Sequence, residues 1–350
     1  MIPSIIIAII LFGFLIFIHE LGHFLTAKHA GVGISEFSIG MGPKIFSRIG
    51  KKDNIVYSLR LFPIGGYVSM LGEDEDSRDE NALCNKPKFT RFLVLVSGAL
   101  MNLLLGLILM IICVSSSSSL YSNKINRFLI ADKNGAAVSE YMGLHENDEI
   151  LKINNTTLNI RYDYLFAGMR QADKPCTLTV LRDGQKVEIH GFVFPTSSEK
   201  GLTVGNPSFF VPAEKEKTFF SVIKESVFQT GATVKMVWLS LFDIISGRYG
   251  AQAVSGPVGV VSEIKNTISY GIIPLLFFAS LLTINIGVFN LLPFPALDGG
   301  RIFFLLIEAV LKKPVNRKIE SAVNFAGLVL LMALMVFVTF NDILKLFTRG

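Results

Sequence analysis

Cysteine and charge are both scarce in this chain, and each scarcity removes a class of explanation. Cys84, Cys113 and Cys176 stand alone and never fall in a C-x-x-C pair, which leaves no basis for a cysteine metal cluster or a disulfide framework. Charged residues make up only 17% of the chain, and its net charge of +5 is spread without a Lys/Arg-rich block. Nucleic acid is therefore not an expected partner. The opening MIPSIIIAII has neither the basic start nor the small-residue cleavage site of a signal peptide, so its apolar stretch is expected to remain as a spanning helix.

Apolar residues take the place of the missing charge. They account for 51% of the sequence, with a mean hydropathy of +0.51, more than an ordinary soluble domain carries. Runs of about 20 apolar residues, the length a bilayer core requires, occur near 4–27, 92–114, 272–292 and 323–344. The expectation is a polytopic α-helical membrane protein with about four transmembrane helices. A further stretch, 219–247, is long enough but carries Lys224, Glu225, Lys235 and Asp243, and reads as amphipathic and interfacial.

Basic residues crowd the loops on one side: Lys28, Lys44, Lys86, Lys88 and Arg91 after the first span, Lys312, Lys313, Arg317 and Lys318 after the third. The positive-inside rule puts both loops in the cytoplasm and both termini outside. The expected organisation is a first transmembrane helix (1–30), a membrane-associated β-hairpin region on the cytoplasmic side (31–91) and a second transmembrane helix (92–114). A linker with an inserted extracytoplasmic α+β domain (115–205) and an extracytoplasmic amphipathic helix and turn (206–271) come next. A third transmembrane helix with its following segment (272–311) and a fourth with the tail (312–350) complete it.

Within the inserted domain, GLHENDEILKINNTTL (143–158) and CTLTVLRDGQKVEIHGFVF (176–194) alternate apolar and polar residues at period two around Asn-Asn and Asp-Gly turns. They resemble a PDZ domain, with Asn147-Asp148 and Asn154-Asn155 where that family usually carries glycine. Such a domain can bind a peptide terminus, exclude bulky ectodomains or act as a spacer. The acidic run EDEDSRDE (73–80) reads as a solvated loop, and SGPVGVV (255–261) resembles a segment that, in a known membrane-protein family, precedes the third span and would set a turn at the outer membrane face.

The chemistry lies in FIHELGHF (17–24), inside the first span. Ionisable side chains are costly in hydrocarbon and mark function by default. On a helix His19 and His23 are four residues apart and share a face, near enough to hold one Zn2+. Glu20 lies one position round, within reach of a water at the metal as a general base. The five residues match H-E-x-x-H. A catalytic zinc takes a third protein ligand. In NIGVFNLLPFPALDGGRIFF (285–304), two prolines and a Gly-Gly break the third span, and Asp298 is the only carboxylate.

FIHELGH (17–23), the PDZ-like segment and NLLPFPALDGG (290–300) follow one another as in the site-2 protease family of intramembrane zinc metalloproteases, and the chain resembles the bacterial sigma-regulator type with a single PDZ domain. The resemblance covers nearly the whole chain. It implies a membrane-embedded zinc endopeptidase of the cell (inner) membrane, with His19, His23 and Asp298 on the metal and Glu20 as general base. Its substrates would be single-span membrane proteins such as anti-sigma factors or remnant signal peptides, cut within or near the transmembrane segment. It further implies substrate-binding roles for Asn290, Pro293 and Asn285, the last of which also suits helix packing. The 34–73 region would be a membrane-dipping sheet whose edge accepts the substrate as a strand, with Gly65 and Gly66 allowing close approach or simply forming a turn. GALMNLLLG (98–106) reads as small-residue helix packing, without a catalytic part for Asn102. Two other classes stay open on the residues alone: a PDZ-bearing membrane scaffold with a structural metal, and a metal transporter, which would usually show repeated ligand sets.

Overall fold

The computed structural model describes residues 2–73, 75, 77–131, 138–199, 202–247 and 256–348, so Asp74 and Asp76 of the acidic run and Ser255 of SGPVGVV lie outside the described residues. In chain order the elements are α1 (Ile2–His29), β1 (Ile34–Ile49), β2 (Val56–Met70), α2 (Lys88–Ser116), β3 (Leu120–Phe128), β4 (Glu140–Tyr141), β5 (Leu144–His145), β6 (Glu149–Ile153), β7 (Thr156–Thr157) and α3 (Arg161–Met169). There follow β8 (Cys176–Arg182), β9 (Gln185–Phe192), β10 (Thr196–Glu199), β11 (Leu202–Gly205), β12 (Phe210–Lys215), α4 (Phe219–Ile245), α5 (Pro257–Ser269), α6 (Ile272–Asn290), α7 (Asp298–Leu311) and α8 (Arg317–Thr348). The chain divides into two units, Met1–Leu109 with Gly250–Gly350, and Met110–Tyr249.

Among the described residues, apolar composition and length make four helices fit to cross a membrane: Ser4–His29, Lys88–Ser116, Ile272–Asn290 and Arg317–Leu344. The charged α4 is not among them. Small residues and hydroxyls join these helices, as they must where lipid is as apolar as leucine. A Cβ at Gly22 of α1 would collide with Ser97 O on α2, and one at Gly106 of α2 with Ile284 on α6. Ser280 Oγ donates to Gly106 O at 2.8 Å and Thr283 Oγ1 to Asn102 O at 3.1 Å.

Between α6 and α7 the backbone leaves the helix. Pro293 and Pro295 lack N–H groups, Ala296 takes φ 73°, and its N–H donates to Asn324 Oδ1 on α8 at 3.2 Å. Gly299 and Gly300 are pressed against Leu292 O and Phe294 O, where no Cβ fits. Protein groups thus satisfy the irregular backbone, the condition for tolerating it at membrane depth.

The β1–β2 ribbon is pleated back on itself. Phe37, Ser38 and Ile39 each pair with both halves of β2, through Val68 and Tyr57, Tyr67 and Ser58, Gly66 and Leu59. Gly40 and Gly42, with φ 85° and 86°, allow the bend. Its base packs Phe37 on Phe24 of α1, ring centroids 4.7 Å apart, whereas Ile45 and Phe46 stay 62% exposed.

The second unit is a sheet in the order β12-β3-β6-β8-β9, with β7 paired to β6 and a core around Tyr164, Phe128, Phe192, Phe194 and Phe210. The turns fall at Asn154 (φ 50°) and at Asp183-Gly184 (φ 48° and 80°). Asp148, 1% exposed, accepts from Arg182 Nε at 2.8 Å and from His145 N at 2.9 Å, joining the start of β6 to the β8–β9 hairpin. Two features differ from the sequence expectation. The serine run 115–119, expected within the linker, begins inside α2: Ser115 and Ser116 close the helix, and Ser116 Oγ and Ser117 Oγ donate back to Ile112 O and Val114 O at 2.8 Å each. The sheet also gains β12 from residues that show no clear alternation, paired to β3 from Phe210↔Phe128 to Lys215↔Leu120.

Candidate metal centre

The helical spacing of α1 brings His19 and His23 together with ring centroids 4.9 Å apart and Nε2 atoms 3.3 Å apart. Asp298, the first residue of α7, brings Oδ2 to 3.0 Å from His19 Nε2 and 3.2 Å from His23 Nε2. Zinc bonds of about 2.0–2.2 Å in a tetrahedron put donor atoms about 3.3–3.6 Å apart, close to this triangle. A helix N-terminus is also a favourable place for the carboxylate.

Each imidazole is held by its other nitrogen. His23 Nδ1–H donates to Val94 O at 2.8 Å, which leaves Nε2 unprotonated for a metal. Asn102 of α2 lies with its amide 3.4 Å from His19 Nδ1, and its Oδ1 is buried without a partner among the described residues. With the amide turned so that oxygen faces the ring, His19 Nδ1–H donates to it and Nε2 keeps its lone pair. Gly98 lets α2 come this close: a Cβ there would collide with His23 Nε2 and His19 Cε1.

A cavity of about 200 Å³ opens on these atoms, lined also by Glu20, Tyr67, Glu73, Leu297 and Arg301. Gly66 sits against Glu20, where a Cβ would approach Glu20 Cγ to 3.2 Å, and Arg301 pairs with Glu73 on the cavity wall. Gly65, at φ 95°, abuts Met41. Of the other residues singled out in the sequence, Asn285, Asn290 and Pro293 do not line this cavity. Asn290 Nδ2 donates to Ile286 O of its own helix at 3.0 Å, and Asn285 Oδ1 is buried without a hydrogen-bond partner among the described residues. Tyr67 and Arg301 escape sequence reasoning, Glu73 is read there only as part of a solvated loop, and Asn102 only as helix packing. The signal for Asn102 was its presence in an apolar span, where an amide is costly.

The sequence pattern of peptidase family M50 matches residues 7–334. The chain belongs to peptidase family M50. Relatives aligned almost end to end agree. A Clostridium perfringens protein assigned by name as a zinc metalloprotease is 36% identical, over 97% of this chain and 98% of its own length. The regulator of sigma-W protease RasP of Bacillus subtilis is 30% identical, over 98% of this chain and 99% of its own length. The zinc metalloprotease RasP of Geobacillus kaustophilus is 30% identical, over 98% of each. This M50 peptidase is a membrane-embedded zinc metalloprotease. Its donor set of two imidazoles and a carboxylate suits that ion.

Proposed function

We propose that this M50 peptidase hydrolyses a peptide bond within or next to the transmembrane segment of single-span membrane proteins, with His19, His23 and Asp298 holding Zn2+ and Glu20 as general base. The observation that carries the reading is the convergence of the three donor atoms beside Glu20 in one cavity. Zinc, when bound, makes water a stronger acid and polarises a carbonyl. Glu20 accepts the proton from the attacking water as its oxygen bonds to the scissile carbonyl carbon, then delivers it to the departing amine nitrogen as the C–N bond breaks.

A transmembrane helix satisfies its own backbone and hides its peptide bonds, so it must unwind before attack. Tyr67, Val68 and Met70 line the cavity, and pairing with this stretch of β2 would take up the freed backbone groups of an unwound segment. Gly65 and Gly66 allow its close approach, and the resemblance to the family supports Asn290, Pro293 and Asn285 as residues that hold the substrate near the metal, with helix packing the other role open to Asn285.

The sheet of the second unit serves as an extracytoplasmic PDZ-like domain, which screens ectodomain size or holds a peptide terminus; both chain termini are then extracytoplasmic. The Bacillus subtilis relative is named a regulator of sigma-W protease, which supports a part in sigma-factor regulation, with anti-sigma factors or remnant signal peptides as the substrates. Purified, zinc-loaded protein in detergent is expected to cleave single-span model substrates, and Glu20→Gln to lose cleavage while keeping its zinc. A folded, metal-loaded wild type that cuts none of them, whether or not their ectodomains are trimmed, would sink the reading and favour a scaffold with a structural metal.

A further inference from the structure

A second cavity, of about 410 Å³, shares no lining residue with the metal centre. It lies between the N-terminus of α2 and the C-terminus of α7, and gathers Lys86, Lys88, Arg91, Lys312 and Lys313 around a single carboxylate, Glu308. That carboxylate is committed: Arg91 donates to its Oε2 at 2.7 Å and Val315 N to its Oε1 at 3.2 Å, and it is 3% exposed. Lys88 Nζ donates to the main-chain oxygen of Glu308 at 2.7 Å. Among the described residues, none of the four lysines has a carboxylate within ion-pair distance.

The fold accounts for only part of this charge. Lys312 and Lys313 at the end of α7 complement its dipole, but Lys86 and Lys88 stand at the start of α2, where a cation is unfavourable and no acidic residue occupies the first turn. Membrane orientation asks for positive loops and does not ask that they converge on one concavity. Lysines without a carboxylate partner among the described residues, gathered round one hollow, fit an oxyanion such as phosphate. The surroundings choose its source. Lys88, where one candidate span begins, lines the cavity, and next to its lining residues in sequence Phe89, Val310 and Leu311 are 70%, 80% and 63% exposed, an apolar flank that a free anion would not need.

We propose that this cavity binds the phosphate-bearing headgroup of an anionic phospholipid, with Phe89, Val310 and Leu311 against its acyl chains. The test is native mass spectrometry of the full chain in detergent, titrated separately with dioleoylphosphatidylglycerol, dioleoylphosphatidylcholine and inorganic phosphate. Wild type is expected to retain phosphatidylglycerol in preference to phosphatidylcholine. The Lys88→Gln/Lys312→Gln/Lys313→Gln variant should bind phosphatidylglycerol about fivefold more weakly for each lysine removed. Equal retention of phosphatidylglycerol by that variant, or of both lipids by wild type, would overturn the proposal. So would full displacement of the lipid by an equal concentration of inorganic phosphate, which would make this a soluble-anion site. Retained cleavage of a model substrate checks the fold of the triple variant. If it folds poorly, Lys312→Gln and Lys313→Gln, single changes at exposed side chains, decide by the same criteria.

Discussion

At Gly98 a methyl group would have to displace His23 Nε2, the atom that faces both His19 and Asp298. Gly98→Ala is therefore expected to lose bound zinc on dialysis while α2 stays helical, since alanine is the better helix former; metal analysis beside circular dichroism checks this. Asn102→Ala removes the orienting partner of His19 and should weaken zinc about 10–100-fold, measured by competition with a chromophoric chelator. A wild-type affinity in that variant would return Asn102 to helix packing alone. The residues differ in how far the chain betrays them. His19, Glu20 and His23 can be read because their geometry is set by one turn of one helix, and Asp298 because no other carboxylate lies in the broken stretch that follows the third span. Asn102 touches His19 across 83 positions of sequence, and nothing local distinguishes it from a packing amide.

Within the elements, buried carboxylates tie together segments that the sequence shows only as separate patterns. Burial disfavours ionisation of Glu36, but hydrogen bonds from Ser58, Arg60, Lys44 and Tyr67 outweigh it and bring the carboxyl from 4.5 to about 2. A carboxyl depressed in the fold contributes stability that is fully present above its ordinary value and is lost as pH falls toward the folded one. The difference in thermal midpoint between wild type and Glu36→Gln should then be constant from about pH 7 to 5.5 and shrink below about 4.5. A difference that grows on acidification would contradict the network. At α5, Asp342 Oδ2 accepts from Gly256 N and Gly259 N at 2.8 Å each, closing the helix start from α8. Asp342→Ala leaves both donors without that acceptor and is expected to cost about 1–3 kcal/mol, read as an earlier transition in SDS unfolding of the purified protein. The alternation of 34–73 announced strands, but not the double pairing that Gly40 and Gly42 permit, because register across a bend is a tertiary property. Asp342, near the end of a hydrophobic helix, gives no hint in the sequence that it caps another.

For the whole molecule the metal centre constrains the number of crossings. His19 and His23 lie near the C-terminal end of α1, and Asp298 follows the C-terminal end of α6, so the three donors meet only if α1 and α6 cross the membrane in the same direction. An odd number of crossings must then separate them. The second span supplies one; a crossing by α4 would make two and carry Asp298 to the face opposite the histidines. We propose that α4 does not cross: its charges and the convergence of the three donors support the same count for independent reasons, one electrostatic and one geometric. Single cysteines placed at Lys51, Lys318 and Lys186, with Cys84, Cys113 and Cys176 replaced by serine, test it with a membrane-impermeant maleimide. Positions 51 and 318 are expected to react from the cytoplasmic side and position 186 from the other. Labelling of 51 and 318 from opposite faces would require an additional crossing and could not be reconciled with Asp298 sharing a metal with His19 and His23.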